Sequence, residues 1–105
     1  MDDTILFNVK TPLGFSVHVT REYWDFITTI KHPVMKSGEE RVIKVLSDPD
    51  EIRQSKSDKN VYLFYRKEQE KRWQCAVAKD ETDSGFLITA YPTDKIKEGE
   101  MIWKK

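Results

Sequence analysis

Three segments in the C-terminal half of the chain constrain its fold more than any other feature. Residues 61–66, 72–79 and 85–92 are rich in β-branched and aromatic side chains, and only short polar stretches separate them. Such runs predict strands, and short connections favour antiparallel neighbours. The sequence therefore predicts an antiparallel sheet of three strands, and apolar residues at 100–103 predict a short fourth strand at its edge.

The N-terminal part of the chain predicts a β-hairpin. Residues 4–10 and 15–19 carry apolar side chains in strand-like patterns, and the sequence Pro12-Leu13-Gly14 between them is typical of a turn. A hairpin is only marginally stable by itself, so we expect it to pack on the rest of the protein.

Two helices are predicted between the hairpin and the sheet. Thr20 is a suitable N-cap for the first helix, which ends before Pro33. Pro33 can also open the second helix, which becomes regular from Glu39 and stops at Asp48-Pro49-Asp50. Apolar residues at helical spacing are Tyr23, Phe26, Ile27 and Ile30 in the first helix and Met35, Val42, Ile43 and Leu46 in the second. The polar segment 51–60 is predicted to be an exposed connector.

Alternation along the three C-terminal strands divides their side chains into two sets, one for each face of the sheet. The apolar set consists of Val61, Leu63, Tyr65, Trp73, Cys75, Val77, Phe86, Ile88 and Ala90. The mixed set consists of Tyr62, Phe64, Arg66, Arg72, Gln74, Ala76, Ala78, Leu87, Thr89 and Tyr91. We expect the apolar set to face the helices, so a solvent-facing Trp73 would contradict this register. The mixed set forms either an ordinary solvated face or a binding surface.

Together these features predict an α+β fold of one domain spanning residues 1–105. The N-terminal hairpin and the two helices are expected to pack on one face of a three- to four-stranded antiparallel sheet. The helical side chains expected to contact that sheet are Phe26, Ile27, Ile30, Val42 and Leu46.

Composition limits the classes of function. Eighteen basic and eighteen acidic residues cancel, whereas general nucleic-acid binders are usually basic. Residues 53–72 hold a local excess of basic side chains, which is either a solvated surface or a phosphate-facing patch. The single cysteine excludes an intramolecular disulfide and a multi-cysteine zinc site. With no signal-peptide pattern and no apolar run of membrane-spanning length, we expect a cytoplasmic protein that does not contact membranes.

Familiar catalytic motifs are missing from the sequence. It contains no phosphate-binding loop, no HExxH and no GxSxG. Cys75 is expected to be a buried structural thiol, and the sequence predicts neither a metal site nor a cofactor. His18 and His32 are the two histidines, and a lone histidine is more often structural than catalytic.

Several short segments nevertheless resemble a known family. The sequence Tyr23-Trp24-Asp25-Phe26-Ile27, followed by Lys31-His32-Pro33, is similar to a Trp-x-x-Ile and His-Pro signature, and segments 49–55, 64–66, 86–93 and 96–103 match the same pattern in order and spacing. These features resemble small phage- and prokaryote-associated nuclease-like domains, which are grouped with barnase, EndoU, colicin and RelE-like nucleases. The resemblance spans about residues 16–104 and departs at Phe26, where many relatives carry histidine.

The resemblance implies a RelE/barnase-like fold and a toxin-like, metal-independent endoribonuclease. In this chemistry the ribose 2′-OH attacks its own phosphodiester, which requires a base, an acid and groups that stabilise the phosphorane. RNA would be the substrate, and the resemblance admits a cognate antitoxin or immunity protein as a partner.

The residues proposed for this activity come mainly from the mixed set. The catalytic candidates are His32, His18, Arg66, Thr89 and Tyr91, and the RNA-binding candidates are Tyr62, Phe64, Arg72 and Gln74. A guanidinium at a strand end can bind phosphate, a hydroxyl can donate to it, and a phenol can donate or stack on a base. Two alternatives stay open: a catalytically silent RNA- or protein-binding module, and an accessory domain with no site on this sheet.

Overall fold

The computed structural model describes residues 4–81, 84–96 and 98–105. Strands predominate among these residues, and the two α-helices are short. The elements in chain order are β1 Ile5–Lys10, β2 Ser16–Thr20, α1 Arg21–Phe26, a π-helix Ile27–Lys31, a 3₁₀ helix Pro33–Met35, α2 Glu39–Ser47, β3 Glu51–Gln54, β4 Val61–Gln69, β5 Arg72–Asp80, β6 Gly85–Thr93 and β7 Glu100–Lys104.

The described strands form one seven-stranded mixed sheet in the order β1-β2-β6-β5-β4-β3-β7. All neighbours are antiparallel except β2 and β6, which run parallel and pair through two residue pairs, Val17 with Gly85 and His18 with Phe86. The expected three- to four-stranded, RelE/barnase-like sheet with two helices packed on one face is therefore wrong. The predicted N-terminal hairpin is confirmed, but it extends the main sheet instead of packing over it.

The polar segment after α2 contains a strand that composition did not reveal. Glu51–Gln54 forms β3, which pairs with β4 on one side and β7 on the other. Ile52 is fully buried there, and the Arg53 guanidinium pairs with the Glu51 carboxylate at 2.7 Å. Since charged side chains on a strand can pair with each other, four mostly polar residues can occupy an interior strand.

The first helix is not α-helical throughout, so its apolar side chains do not form the predicted single stripe. Thr20 is its N-cap, as predicted, and accepts a hydrogen bond from the Tyr23 N–H at 3.1 Å. After Phe26 the helix widens into the π-helix, in which the His32 N–H donates to the Ile27 carbonyl at 2.7 Å. The wider turn changes which side chains share a face. Ile27 is therefore buried, whereas Phe26 and Ile30 are 43% and 67% exposed, contrary to expectation.

On β4 and β5 the two faces of the sheet are inverted relative to the predicted register, whereas Ala90 on β6 faces the helices as predicted. The helix face, on which α2 packs, carries Phe64, Ala76, Ala78, Leu87 and Ala90. The far face carries Leu63, Tyr65, Cys75, Trp73, Val77 and Tyr91, and Ile96 packs against this set. Small alanines let a helix approach the sheet closely, and Ile96, after β6, packs against the larger side chains of the far face. Both faces are thus largely apolar, so alternation alone could not identify the one that the helices cover.

A β-bulge in β6 breaks the alternation once more. Val77 pairs with Thr89 and Ala78 pairs with Leu87, so Ile88 is an extra residue on β6. Leu87 therefore lies on the helix face, while Thr89 and Tyr91 lie on the far face beside Val77 and Cys75. A β-bulge commonly moves the side chains that follow it to the opposite face of the sheet. No helix within the described residues has the length and apolarity needed to cross a membrane.

Candidate functional site

Arg66 lies apart from the other catalytic candidates. It pairs with Gln74 across β4 and β5, on the helix face. Its guanidinium donates to the Asp48 carbonyl at 2.6 Å and to the Asp48 carboxylate at 3.0 Å. These bonds tie the end of α2 to the sheet. In this position the Arg66 guanidinium is engaged by Asp48.

Three of the four RNA-binding candidates are at least half-buried under the helices or the hairpin. Phe64 and Gln74 are fully buried, and the Gln74 amide donates to the Met35 sulfur at 3.5 Å and to the Cys75 carbonyl at 3.1 Å. Tyr62 is half-buried and lies 5.6 Å from the Phe15 ring centroid. Arg72 is exposed at the start of β5. These four side chains therefore form no common surface.

Three other candidates come together at the edge of β6. Thr89 and Tyr91 lie two residues apart on the far face, beyond the bulge. The His32 ring lies 5.2 Å from the Tyr91 ring, centroid to centroid. The Thr89 hydroxyl oxygen is buried, and no described protein group hydrogen-bonds to it. An imidazole, a phenol and a hydroxyl therefore share one strand edge.

The π-helix brings a cation to the same edge. The Lys31 ammonium lies 3.3 Å from the Ile88 carbonyl and 3.5 Å from the Tyr23 hydroxyl, and the Tyr23 hydroxyl donates to the Ile88 carbonyl at 2.9 Å. The ammonium also lies 5.9 Å and 5.8 Å from the ring centroids of Tyr23 and Phe26. Because β2 pairs with only the first two residues of β6, this carbonyl is available to side chains from the helical segment.

His18 lies further along the same edge. It is on β2 between the buried Val17 and Val19, so it points to the far face, where Phe86 is its neighbour across the parallel pair. Phe86 pairs with Lys79 and Tyr91 pairs with Cys75, four residues apart on β5, which is about 13 Å at roughly 3.3 Å per residue. His18 and His32 therefore lie beside different parts of this edge.

Beside this edge, two phenols and a thiol form a buried cluster on the far face. Cys75 pairs with Tyr65 on one side and Tyr91 on the other. Burial raises the pKa of the Cys75 thiol to about 12, although hydrogen bonds from Tyr91 and Tyr65 lower it. Burial, with a contribution from Cys75, also raises the pKa values of Tyr65 and Tyr91 well above 10. The thiol is therefore not a nucleophile at neutral pH, and the Tyr91 phenol is a hydrogen-bond donor.

Carboxylates contribute little to this edge. Glu98 is close enough to raise the pKa values of Tyr65, Cys75 and Tyr91 slightly, after the larger effect of burial. Among residues 4–81, 84–96 and 98–105, no group of three His, Cys, Asp or Glu side chains could hold a metal ion. The groups at the edge are an imidazole, a phenol and an ammonium.

Comparison with known proteins does not assign a family to this arrangement. No protein-family model, curated protein or solved structure significantly matches the chain. The function must therefore be argued from the side chains themselves.

Sequence reasoning missed Lys31, Tyr23 and Phe86. Tyr23 was expected in the buried stripe and Phe86 under the helices, whereas both line the edge of β6. Two irregularities produce this placement, the π-helix and the bulge at Ile88. Neither carries a local sequence signal such as glycine or proline, so alternation and helical spacing could not predict them.

Proposed function

We propose that this protein is a metal-independent endoribonuclease whose site is the edge of β6. The observation that carries the proposal is the contact between the His32 and Tyr91 rings at this edge, where the Lys31 ammonium also lies. Lys31 ends the π-helix and His32 follows it, whereas Tyr91 lies on β6. The sequence resemblance to toxin-like nucleases implies the same activity, although the fold that it implied is not the fold observed.

The proposed reaction is an intramolecular transesterification. His32 accepts the proton of the ribose 2′-OH, the O2′–P bond forms, and the P–O5′ bond breaks. The leaving 5′ oxygen takes a proton from the Lys31 ammonium, and solvent restores both residues. The products are a 2′,3′-cyclic phosphate and a 5′-OH end. A positioned acid or base contributes about 10²- to 10⁴-fold to such a step.

Hydrogen-bond donors at the edge would stabilise the phosphorane. The Tyr91 phenol is protonated at neutral pH, and on substrate binding it exchanges its hydrogen bond with Cys75 for one to a phosphate oxygen. The Thr89 hydroxyl oxygen is buried on the same face and therefore does not contact the phosphate. Since Arg66 is bound to Asp48 on the other face, Lys31 supplies the cation at this edge.

The test is cleavage of total RNA by the purified protein in EDTA. We expect wild type to cut RNA and His32→Ala to be slower by at least about 100-fold. Lys10→Ala, on the edge strand β1, is the matched control and should cut at the wild-type rate. Intact RNA after prolonged incubation with folded wild type, or equal rates for wild type and His32→Ala, would refute the proposal.

A second candidate function is a non-catalytic module that binds a protein, such as an antitoxin. Phe26, Ile30 and Val34 are 43%, 67% and 59% exposed within one short segment. Exposed apolar side chains that lie close together often mark protein interfaces. A folded protein that leaves RNA intact in EDTA and does not bind it in low salt would favour this second function.

A further inference from the structure

The sheet opens between β2 and β6. These strands pair only through Val17 with Gly85 and His18 with Phe86. Beyond that point β2 leads into α1, while β6 continues to Thr93. The gap is an open cleft of about 270 Å³, lined by His18, Val19, Thr20, Tyr23, Phe86 and Leu87.

Two features define the ends of the cleft. At Gly85 a β-carbon would lie 2.9 Å from both the Phe15 ring and the Ser16 carbonyl, so a larger residue would not fit at the paired end. Further along, the Ile88 carbonyl accepts from the Tyr23 hydroxyl and lies 3.3 Å from the Lys31 ammonium. Side chains from the helical segment therefore occupy the place where β2 would otherwise continue the sheet.

We infer that this cleft binds a nucleobase of single-stranded RNA, next to the phosphate that the site attacks. This inference rests on the proposed ribonuclease function. The lining offers two aromatic rings, Tyr23 and Phe86, and an imidazole, His18, that can donate or accept a hydrogen bond. Unstacked bases are recognised through such stacking and edge contacts.

Charge at one end of the cleft selects this ligand over an apolar side chain of a protein. The Lys31 ammonium lies where the cleft meets the edge of β6, and Thr89 and Tyr91 follow along the strand. A planar ring in the cleft, joined to an anion at Lys31, matches the layout of a nucleotide. An apolar protein segment would have no group to pair with this exposed ammonium.

The inference gives His18 a role other than catalysis. It lies beside Phe86, about 13 Å along the strand from Tyr91 at roughly 3.3 Å per residue, and so away from the reacting phosphate. At the mouth of the cleft it can contact the edge of a bound base. His18 is therefore a specificity residue, and its replacement should alter which bases are preferred.

The experiment is a titration of the ¹⁵N-labelled full chain with the four nucleoside 3′-monophosphates, with inorganic phosphate as the reference ligand. We expect amide shifts at Val19, Thr20 and Leu87 with nucleotides, and no such shifts with inorganic phosphate. Phe86→Ala should weaken binding by at least about 10-fold, because one stacked base contributes about 1–3 kcal/mol. His18→Ala should change the order of affinity among the four bases.

The matched control is Ile102→Ala, which removes an exposed apolar side chain on β7 and should leave affinity unchanged. The inference would be overturned if nucleotides caused no amide shifts at the cleft, or if inorganic phosphate caused equal shifts. It would also be overturned if folded Phe86→Ala bound nucleotides with wild-type affinity and His18→Ala kept the wild-type order of affinity among the four bases. Nucleotide binding in the cleft without RNA cleavage would support this site and refute the ribonuclease. Cleavage of RNA at the wild-type rate by folded Phe86→Ala would support the ribonuclease and refute the base-binding site.

Discussion

At the scale of single residues, the proposed chemistry depends on which phenol meets the imidazole. Tyr65 and Tyr91 both flank Cys75, and burial raises the pKa of each. Only Tyr91 lies against His32, 5.2 Å away between ring centroids. Tyr65 is buried in the apolar cluster of the far face. Tyr91 is therefore the phenol of the proposed site, and Tyr65 is its matched comparison.

We expect Tyr91→Phe to lower the rate of RNA cleavage by at least about 10-fold, because a lost hydrogen bond to the phosphorane costs about 1.4 kcal/mol or more. Tyr65→Phe removes a similar hydroxyl from the same cluster and should leave the rate unchanged. Single-turnover cleavage of a short RNA measures both. If the two variants lose activity equally, the effect comes from the cluster and not from a contact with the substrate.

Arg66 should affect stability and not cleavage. Its guanidinium binds the carbonyl and the carboxylate of Asp48, and about a quarter of the side chain is exposed. We expect Arg66→Ala to lower the free energy of unfolding by about 1 kcal/mol, which urea denaturation measures. A folded variant that cleaves RNA 10-fold more slowly would restore Arg66 to the catalytic set.

At the scale of elements, the sequence predicted the position of most strands and helices but not their faces. Thr20 caps α1 and Glu39 begins α2, because capping and helix-breaking residues act locally. The π-helix, the bulge at Ile88 and strand β3 depend on contacts with distant elements. The sequence could suggest His32, Thr89 and Tyr91 as candidates. It could not predict that Arg66 would lie apart from them.

The end of the connection into β7 is constrained by Gly99. Its φ is +80°, and a β-carbon there would lie 2.6 Å from the Gln54 carbonyl. We expect Gly99→Ala to lower the free energy of unfolding by more than the matched change Gly14→Ala. Gly14 also has a positive φ, at +100°, but a β-carbon added there would meet no other heavy atom within 4 Å. Gly14→Ala should therefore cost only the backbone strain of about 1–2 kcal/mol. Equal losses in urea denaturation would show that the contact with β3 does not matter.

At the scale of the whole molecule, the sheet buries a thiol and two phenols, so the free energy of unfolding falls as pH rises in the alkaline range. The folded state keeps the Cys75 proton up to about pH 12, whereas an ordinary thiol loses it near 9.0. Between these values the unfolded state binds fewer protons, so the free energy of unfolding falls as pH rises. The raised pKa values of Tyr65 and Tyr91 add to this fall above pH 10.0.

We expect Cys75→Ala to show a shallower fall in the free energy of unfolding between pH 9 and 10 than wild type, because the thiol no longer titrates. Urea denaturation at several pH values measures the slope, which does not depend on any constant loss of packing. Parallel curves for the two proteins would contradict the buried position of this thiol.

The proposed activity also concerns the whole molecule, because its site is assembled from β6, the π-helix and the residue that follows it. The most direct test is cleavage of a short RNA in EDTA, compared with the same oligonucleotide carrying one 2′-deoxy residue at the cut site. We expect wild type to leave a 2′,3′-cyclic phosphate and a 5′-OH end, and to spare the deoxy linkage. Cleavage of the deoxy linkage, or products that carry a 5′-phosphate, would contradict attack by the 2′-OH.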